Sequence, residues 1–252
     1  MDIKILVATH KKYWMPEDEV YLPLHVGREG KEDLGYMGDN TGDNISDKNA
    51  NYCELTGLYW AWKNLDCEYI GLCHYRRYFS HRSLKQEEDE RKKSIYGFID
   101  YAKILRDYEI ILPCKFKLKR LTVKEHYAKC HYGKDLDKVR GIITELYPEY
   151  IEEYDNVMKS NSLYICNMFV TKKEIFDKYC AWLFNILFIL EKDIDITQYD
   201  QYQARLYGFL SERLFNVWLA KMNLKSYSAN IVLLEAPQVN KIKHFIKYIL
   251  GL

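Results

Sequence analysis

Short apolar runs rich in β-branched residues alternate along this chain with longer segments whose apolar residues recur at helical spacing. The runs predict strands at 3–9, 68–75, 108–114 and 225–235. Helices are predicted between them, and in the segment 51–65 one helical face carries Leu55, Leu58, Tyr59 and Trp62. Asn51 with Glu54, and Thr171 with Glu174, have the spacing of a capping box, so we expect helices to begin there. The alternation is typical of an α/β fold, a sheet with helices on both faces.

The composition limits the class of protein. A net charge of +1 over 252 residues gives no overall field that would attract a nucleic acid. The seven cysteines are scattered without a C-x-x-C pair, which favours reduced thiols over a disulfide framework. The first residues do not resemble a signal peptide, and no apolar stretch reaches the roughly 18 to 20 residues that span a bilayer. We therefore predict a single cytoplasmic domain over residues 1–252.

The residues that directly follow the predicted strands are the first candidates for a site. In open α/β sheets, ligands bind outside the carboxyl ends of the strands. The first strand is followed by Thr9, His10 and Lys11. The second is followed by the segment His74-Tyr75-Arg76-Arg77-Tyr78. A later strand region carries Asn167 and Met168.

The segment from His74 to Tyr78 places two arginines between tyrosines at the end of an apolar run. A guanidinium binds phosphate through two parallel hydrogen bonds and keeps its charge at any ordinary pH. Arg76 and Arg77 could therefore hold a diphosphate while a tyrosine stacks on a base or a sugar. His74 could bind a metal ion, exchange a proton or donate a hydrogen bond. The alternative is that the arginines form structural ion pairs with the many acidic residues.

Acidic residues elsewhere supply further candidates. The loop 39–46 mixes acids with Gly and Asn, so Asp39 and Asp43 could contact a metal ion or a ribose, or the loop could be a solvated turn. No glutamate closes it in the manner of an EF-hand. Asp195 and Glu212 are candidates for a general base, although Glu212 beside Arg213 also fits an ion pair. The segment 240–252 has the pattern of a basic amphipathic helix, for a membrane surface or for docking on the core.

The common nucleotide and hydrolase motifs are absent from the sequence: it lacks G-x-x-x-x-G-K-[ST], G-x-G-x-x-G, G-x-S-x-G and H-E-x-x-H. Four segments nonetheless resemble, in order, the motifs of a bacterial family known as a domain of unknown function. They are ELTGLYWAWKN, YIGLCHYRRYF, CNMFVTKKEIFDKYCAWLF and GFLSERLFNVWL. Members of that family occur in capsular and exopolysaccharide gene clusters and are regarded as glycosyltransferases, some of them galactofuranosyltransferases. The resemblance covers nearly the whole chain.

The resemblance implies a GT-A-like, Rossmann-type α/β core that uses a nucleotide-sugar donor. The donor is expected in the half 1–115, and the acceptor in the helical half 116–252 with its C-terminal amphipathic helix. The residues expected to contact the donor are Thr9, His10, Lys11, Asp39, Asp43, Glu54, His74, Arg76 and Arg77. Those expected to contact the acceptor are Asn167, Met168 and Tyr78. Glu212 or Asp195 would take the proton of the acceptor hydroxyl.

The resemblance also raises the question of a metal ion. A GT-A enzyme usually grips the donor diphosphate with a divalent ion held by Asp-x-Asp after a central strand. In this sequence His74, Tyr75, Arg76 and Arg77 take that position. Fixed cations can stabilise the charge that develops on a leaving diphosphate, as a metal ion does elsewhere. We expect the arginines to replace or to supplement Mn²⁺ or Mg²⁺, and the candidate ligands of such an ion are His74, Asp39 and Asp43.

The predicted function is that of a hexosyltransferase at the inner face of the membrane. It would move a sugar, with galactofuranose as one candidate, from a UDP-linked donor to a lipid-linked oligosaccharide in capsule, exopolysaccharide or O-antigen synthesis. One alternative is an enzyme that modifies a sugar phosphate or a nucleotide sugar and has no acceptor glycan. The other is a non-catalytic carbohydrate-binding or polysaccharide-assembly subunit, because surfaces rich in Tyr and Trp also bind sugars. No nucleic-acid partner is expected, and the sequence does not indicate an oligomeric state.

Overall fold

The computed structural model describes residues 1–81 and 87–235. Within this range the chain forms two compact units that interleave along the sequence. The first unit comprises residues 1–114, 166–181 and 224–235, and the second comprises residues 115–165 and 182–223. The amphipathic helix predicted at 240–252 lies outside the described residues. Among the residues that are described, no helix is both long enough and apolar enough to cross a membrane.

The elements alternate as the sequence predicts. The strands are, in chain order, β1 (Ile3–Thr9), β2 (Tyr21–His25), β3 (Met37–Gly38), β4 (Tyr69–His74), β5 (Arg77–Ser80), β6 (Ile110–Pro113), β7 (Phe116–Lys117), β8 (Ser162–Leu163), β9 (Phe169–Lys172) and β10 (Ser226–Leu233). The α-helices are α1 (Asn49–Tyr52), α2 (Leu55–Asn64), α3 (Glu88–Lys93), α4 (Phe98–Ile104), α5 (Val123–Cys130), α6 (Lys134–Leu146), α7 (Ile151–Lys159), α8 (Lys173–Asp193) and α9 (Leu206–Met222). Four of the predicted strands correspond to β1, β4, β6 and β10, so the mixed α/β character is confirmed. The later strand region predicted around Asn167 and Met168 divides into β8 and β9, and these two residues lie between them.

The sheet of the first unit joins a parallel wing to a closed ring of strands. β3, β2, β1 and β4 pair in parallel in that order. From β4 the pairing continues to β9, β6, β10 and β5, and β5 pairs again with β4 at His74 and Arg77. The two-stranded sheet of β7 and β8 belongs to the second unit. The ring did not follow from the sequence pattern, because its pairings join strands that are far apart in the chain.

β1 and β4 form the centre of the sheet and are buried on both faces. Consecutive residues are buried along nearly all of each strand, which explains why both read as continuous apolar runs rather than as alternating ones. Gly71 allows β9 to approach β4 closely, because a Cβ atom at this position would lie 2.7 Å from Cγ2 of Val170 and 2.8 Å from the carbonyl oxygen of Phe169.

Both predicted capping boxes are wrong. Asn51 lies inside the short helix α1, and α2 begins only after a sharp bend at Cys53, which has φ 54° and ψ −132°. Thr171 lies in β9, where its hydroxyl donates to the carbonyl oxygen of Glu109 at 2.8 Å, and α8 begins two residues later. For Thr171, a contact with a distant part of the unit overrides the local pattern.

Tyrosines form much of the core of the first unit. Tyr21, Tyr78 and Tyr101 are buried there among the aliphatic residues of the sheet. The hydroxyl of Tyr21 donates to the carbonyl oxygen of Tyr96 at 2.8 Å and lies 3.0 Å from the hydroxyl of Tyr101. These buried hydroxyls therefore have partners, and much of the tyrosine content of the first unit serves packing.

Candidate functional site

The motif His74 to Phe79 forms a tight hairpin at the carboxyl end of β4. β4 ends at His74, Tyr75 and Arg76 form the turn, and β5 begins at Arg77, which pairs with His74. Neither turn residue has a positive φ. A two-residue turn without a positive φ does not match the right-handed twist of the strands, so it splays the two strands apart. β5 accordingly leaves β4 and pairs with β10, which turns Tyr75 and Arg76 into the tip of the hairpin.

The end of β1 lies next to this tip. β1 and β4 are parallel with Ala8 beside His74, and the amide of Tyr75 donates to the carbonyl oxygen of Ala8 at 3.2 Å. Beyond Ala8, the buried hydroxyl of Thr9 donates to the carbonyl oxygen of Lys11 at 2.6 Å and so folds the chain back over the strand end. The sheet thereby brings two of the predicted segments, Thr9 to Lys11 and His74 to Arg76, to one edge.

At this edge two cations share one carboxylate. The ammonium of Lys11 lies 3.3 Å from Oε1 of Glu235, and the guanidinium of Arg76 lies 3.2 Å from Oε2 of the same residue. Glu235 is held there because the amide of Leu234 donates to the carbonyl oxygen of Arg76 at 3.0 Å. The hydrogen bond to Glu235 raises the pKa of Lys11. Burial favours a higher pKa for Glu235, but the hydrogen bonds from Arg76 and Lys11 outweigh it, so this pKa is lowered.

Aromatic rings flank the two cations. The Lys11 ammonium lies 5.1 Å from the centroid of the Tyr75 ring and 5.2 Å from that of Tyr13, and the Arg76 guanidinium lies 5.0 Å from that of Tyr75. The Tyr13 ring packs edge-on against Tyr75 with 5.0 Å between centroids, and His10 does so at 5.5 Å. The Tyr75 ring is buried beneath the cations, and the Tyr13 ring is partly exposed, so the edge combines positive charge with an accessible aromatic ring, which suits a nucleotide diphosphate.

His74 is half-buried beside the Tyr75 ring and is itself neutral. Burial first, and then the positive charges of Arg77 and Arg76, lower its pKa to about 3. Its ring lies 4.4 Å from that of Tyr75, and its Nδ1 atom is buried with no hydrogen-bond partner among residues 1–81 and 87–235. The positive charge of the motif thus comes from the arginines.

Asp39 and Asp43 are engaged in holding their own loop. The carboxylate of Asp39 is fully buried and accepts hydrogen bonds from the amides of Gly27 and Arg28 at 2.8 and 3.0 Å. Asp43 accepts a hydrogen bond from the hydroxyl of Tyr59 at 3.0 Å. Burial, aided by this bond, raises the pKa of Tyr59 to about 12. In the part of the chain that the structure describes, no three His, Cys, Asp or Glu side chains converge as metal ligands.

Glu54 and Asn167 meet, although 113 residues separate them in sequence. The side-chain amide of Asn167 donates to Oε1 of Glu54 at 2.9 Å. Asn167 and Met168 precede β9, whose antiparallel register with β4 sets Phe169 beside Leu72. Because the two strands run in opposite directions, the residues before Phe169 lie toward the carboxyl end of β4. Met168 and Tyr78 are buried in the core below this edge.

The two predicted bases belong to the second unit. Glu212 pairs with the buried guanidinium of Arg213 at 2.9 Å. Asp195 is exposed and accepts a hydrogen bond from the amide of Thr197 at 2.9 Å, which lowers its pKa. A carboxylate with a lowered pKa is a weaker proton acceptor.

The strand-end rule led to most of this edge, including the segment with Tyr75, but it missed two residues. Glu235 is the last residue of the predicted strand 225–235, so applying the rule to this strand end would have found it. Tyr13 follows Lys11 by two positions and carried no local signal, because its place is set by the fold of the loop.

The comparisons with known proteins fit this architecture. The family model described as "Domain of unknown function (DUF4422)" matches residues 4–223. A solved apo structure of the bifunctional glycosyltransferase WbbM matches with a TM-score of 0.87 and 32% sequence identity, over 94% of this chain and 46% of that chain. This chain therefore spans about half the length of WbbM. Among curated proteins, no sequence matches. Because the family model matches well over half of the sequence, this chain belongs to the DUF4422 family.

Proposed function

We propose that this chain is a glycosyltransferase with a GT-A-like core, which transfers a sugar from a UDP-linked donor to a glycan acceptor. The observation that carries the proposal is the convergence of Lys11 and Arg76 on one carboxylate, beside Tyr75, at the carboxyl ends of β1 and β4. Parallel strand ends are the common ligand site of α/β sheets. The similarity to WbbM, whose structure is that of a bifunctional glycosyltransferase, supports the same class of reaction.

The two cations suit the leaving group of such a reaction. When the bond between the sugar and the diphosphate breaks, negative charge builds up on the diphosphate oxygens. A fixed guanidinium and a fixed ammonium stabilise that charge without having to reorganise. In the described structure the carboxylate of Glu235 takes the position of such an anion, so donor binding would exchange Glu235 for diphosphate oxygens. The partly exposed ring of Tyr13 offers a face on which the uracil or the sugar can stack, whereas the ring of Tyr75 is buried beneath the two cations.

Among residues 1–81 and 87–235, the side chains at this edge do not form a ligand set for a divalent ion. Asp39 is buried and accepts hydrogen bonds from two backbone amides, Asp43 accepts one from Tyr59 of α2, and His74 alone is an incomplete ligand set. We therefore assign neutralisation of the diphosphate to Lys11 and Arg76, and we derive no step through a metal ion.

Further details of the reaction extend the proposal. We assign the enzyme to hexosyl transfer onto a lipid-linked oligosaccharide, in the synthesis of capsule, exopolysaccharide or O-antigen at the inner face of the membrane. Galactofuranose is the first donor sugar to test. The motif-level resemblance to enzymes of polysaccharide gene clusters supports this choice.

The test is release of nucleoside diphosphate from a panel of nucleotide sugars, with n-octyl glycosides as soluble acceptors. We expect the wild-type chain to release UDP from one UDP-sugar, in EDTA as well as in Mn²⁺. Arg76→Ala should lower turnover by about 100-fold or more, the usual effect of removing one fixed donor to a developing anion. Arg106→Ala, which removes an exposed arginine of the same unit, is the control and should leave turnover unchanged.

Two results would count against this proposal. Binding of a UDP-sugar without release of UDP, for every donor and acceptor pair, would favour the non-catalytic carbohydrate-binding subunit. Complete loss of activity in EDTA, restored by Mn²⁺, would contradict the assignment of charge neutralisation to Lys11 and Arg76 alone.

A further inference from the structure

Strained backbone surrounds the contact between Glu54 and Asn167. Among residues 1–81 and 87–235, four non-glycine residues have a positive φ, and three of them flank this contact: Cys53 at 54°, Cys166 at 75° and Asn167 at 49°. Asparagine tolerates the left-handed region, but cysteine is not among the residues enriched there. Such conformations persist where the surrounding fold enforces them, and they cluster at active sites. The strained backbone therefore indicates that the surrounding fold holds the Glu54 carboxylate in one position.

The contact lies at the same sheet edge as the two cations. Because β9 runs antiparallel to β4, with Phe169 beside Leu72, Asn167 lies toward the carboxyl end of β4, where the hairpin tip carries Arg76. Met168 and Cys73 belong to one buried cluster with Tyr75, and Cys166 packs against that cluster. All of these residues are in the first unit. The side chain of Asn167 is buried, whereas Glu54 is only half-buried, so the carboxylate can meet a ligand that the amide cannot.

We propose that Glu54 is the catalytic base of the transfer and that Asn167 is its positioning residue. This inference rests on the proposed function. The Glu54 carboxylate accepts the proton of the acceptor hydroxyl while the acceptor oxygen forms a bond to the anomeric carbon. The bond from that carbon to the diphosphate oxygen breaks, and its electron pair leaves with the nucleoside diphosphate, beside Lys11 and Arg76. The hydrogen bond from Asn167 fixes one carboxylate oxygen and so sets the direction of the carboxylate.

The carboxylates expected from the sequence are less suited to this role. Glu212 is engaged by the buried guanidinium of Arg213, and a hydrogen bond lowers the pKa of exposed Asp195. Glu54 accepts a hydrogen bond from the side-chain amide of Asn167, and this bond orients the carboxylate.

The test compares Glu54→Gln with Glu68→Gln. The Glu54→Gln substitution keeps the size of the side chain and an oxygen that can accept from Asn167, so the fold should be retained. Glu68 is exposed and lies just before β4, at the opposite end of the strand from the site. We expect Glu54→Gln to lower kcat by about 100-fold or more, the typical contribution of general base catalysis, with the Kd for UDP within about twofold of wild type. Glu68→Gln should retain wild-type kcat.

Two additional measurements separate chemistry from structure. In Glu54→Ala, added formate should restore part of the turnover, because a small carboxylate can enter the space that the side chain leaves. Asn167→Ala should lower kcat with little change in KM and shift the acidic limb of the pH profile.

Retention of more than a third of wild-type kcat in Glu54→Gln, with an unchanged pH profile, would overturn the assignment. If wild type itself releases no nucleoside diphosphate, the proposed function fails instead.

Discussion

His74 shows how burial decides what a titratable residue can do. At a strand end beside two arginines, a histidine could serve as an acid, a metal ligand or a neutral hydrogen-bonding group. Burial among the rings of the first unit, together with the charges of Arg77 and Arg76, lowers its pKa to about 3. The ring is therefore neutral at ordinary pH, and the fold is more stable when it stays so.

This lowered pKa predicts how stability depends on pH. In the unfolded chain the histidine takes up a proton below about pH 6.5, whereas in the folded chain it stays neutral down to about pH 3. Between these values the unfolded state binds more protons, so stability falls as the pH falls, by about 1.4 kcal/mol per pH unit from this residue. Urea unfolding between pH 7.5 and 4.5 should show this extra slope in wild type relative to His74→Gln. If the free energy of unfolding changed with pH equally in wild type and His74→Gln, the prediction would be contradicted.

At the scale of elements, the apolar runs were sufficient to locate β1, β4, β6 and β10, because each is a buried strand with a continuous apolar sequence. The capping signals failed because caps depend on what the neighbouring chain does. Thr171 donates to Glu109 across the sheet instead of capping α8, and the bend at Cys53 delays the start of α2. The splayed hairpin at Tyr75 and Arg76 likewise depends on the pairing of β5 with β10, two strands that are distant in sequence.

Gly71 tests the close approach of β9 to β4. In Gly71→Ala the new Cβ atom would lie 2.7 Å from Cγ2 of Val170, so the two strands would have to move apart. We expect a loss of about 1–3 kcal/mol in the free energy of unfolding, the usual cost of overpacking. Gly141→Ala is the matched control, because a Cβ atom at this position in α6 meets nothing within 4 Å. This control should stabilise the protein by about 0.5–1 kcal/mol. Equal changes in the free energy of unfolding for Gly71→Ala and Gly141→Ala, measured by urea unfolding, would refute the packing argument.

At the scale of the molecule, the candidate site is assembled from segments that the sheet of the first unit brings together. Lys11 follows β1, Arg76 lies in the hairpin after β4, and Glu235 follows β10. The rule that ligands bind at strand ends predicted Lys11 and Arg76 from the sequence. It could not predict that Glu235 bridges them, because that contact requires the ring to close. Nor could the strand-end rule predict the hydrogen bond between Glu54 and Asn167, because the two residues are 113 positions apart and neither lies in a motif that points to the other.

The central claim is that Lys11 and Arg76 bind the diphosphate of the donor. The most direct test is the difference in affinity between UDP and uridine, measured by calorimetry at fixed ionic strength. We predict that wild type binds UDP more tightly than uridine. Charge-assisted hydrogen bonds contribute about 1.5–3 kcal/mol, so Arg76→Gln should weaken UDP binding by about 10-fold to 100-fold and leave uridine binding unchanged. Unchanged UDP binding in Arg76→Gln, or an equal loss for UDP and uridine, would contradict the account.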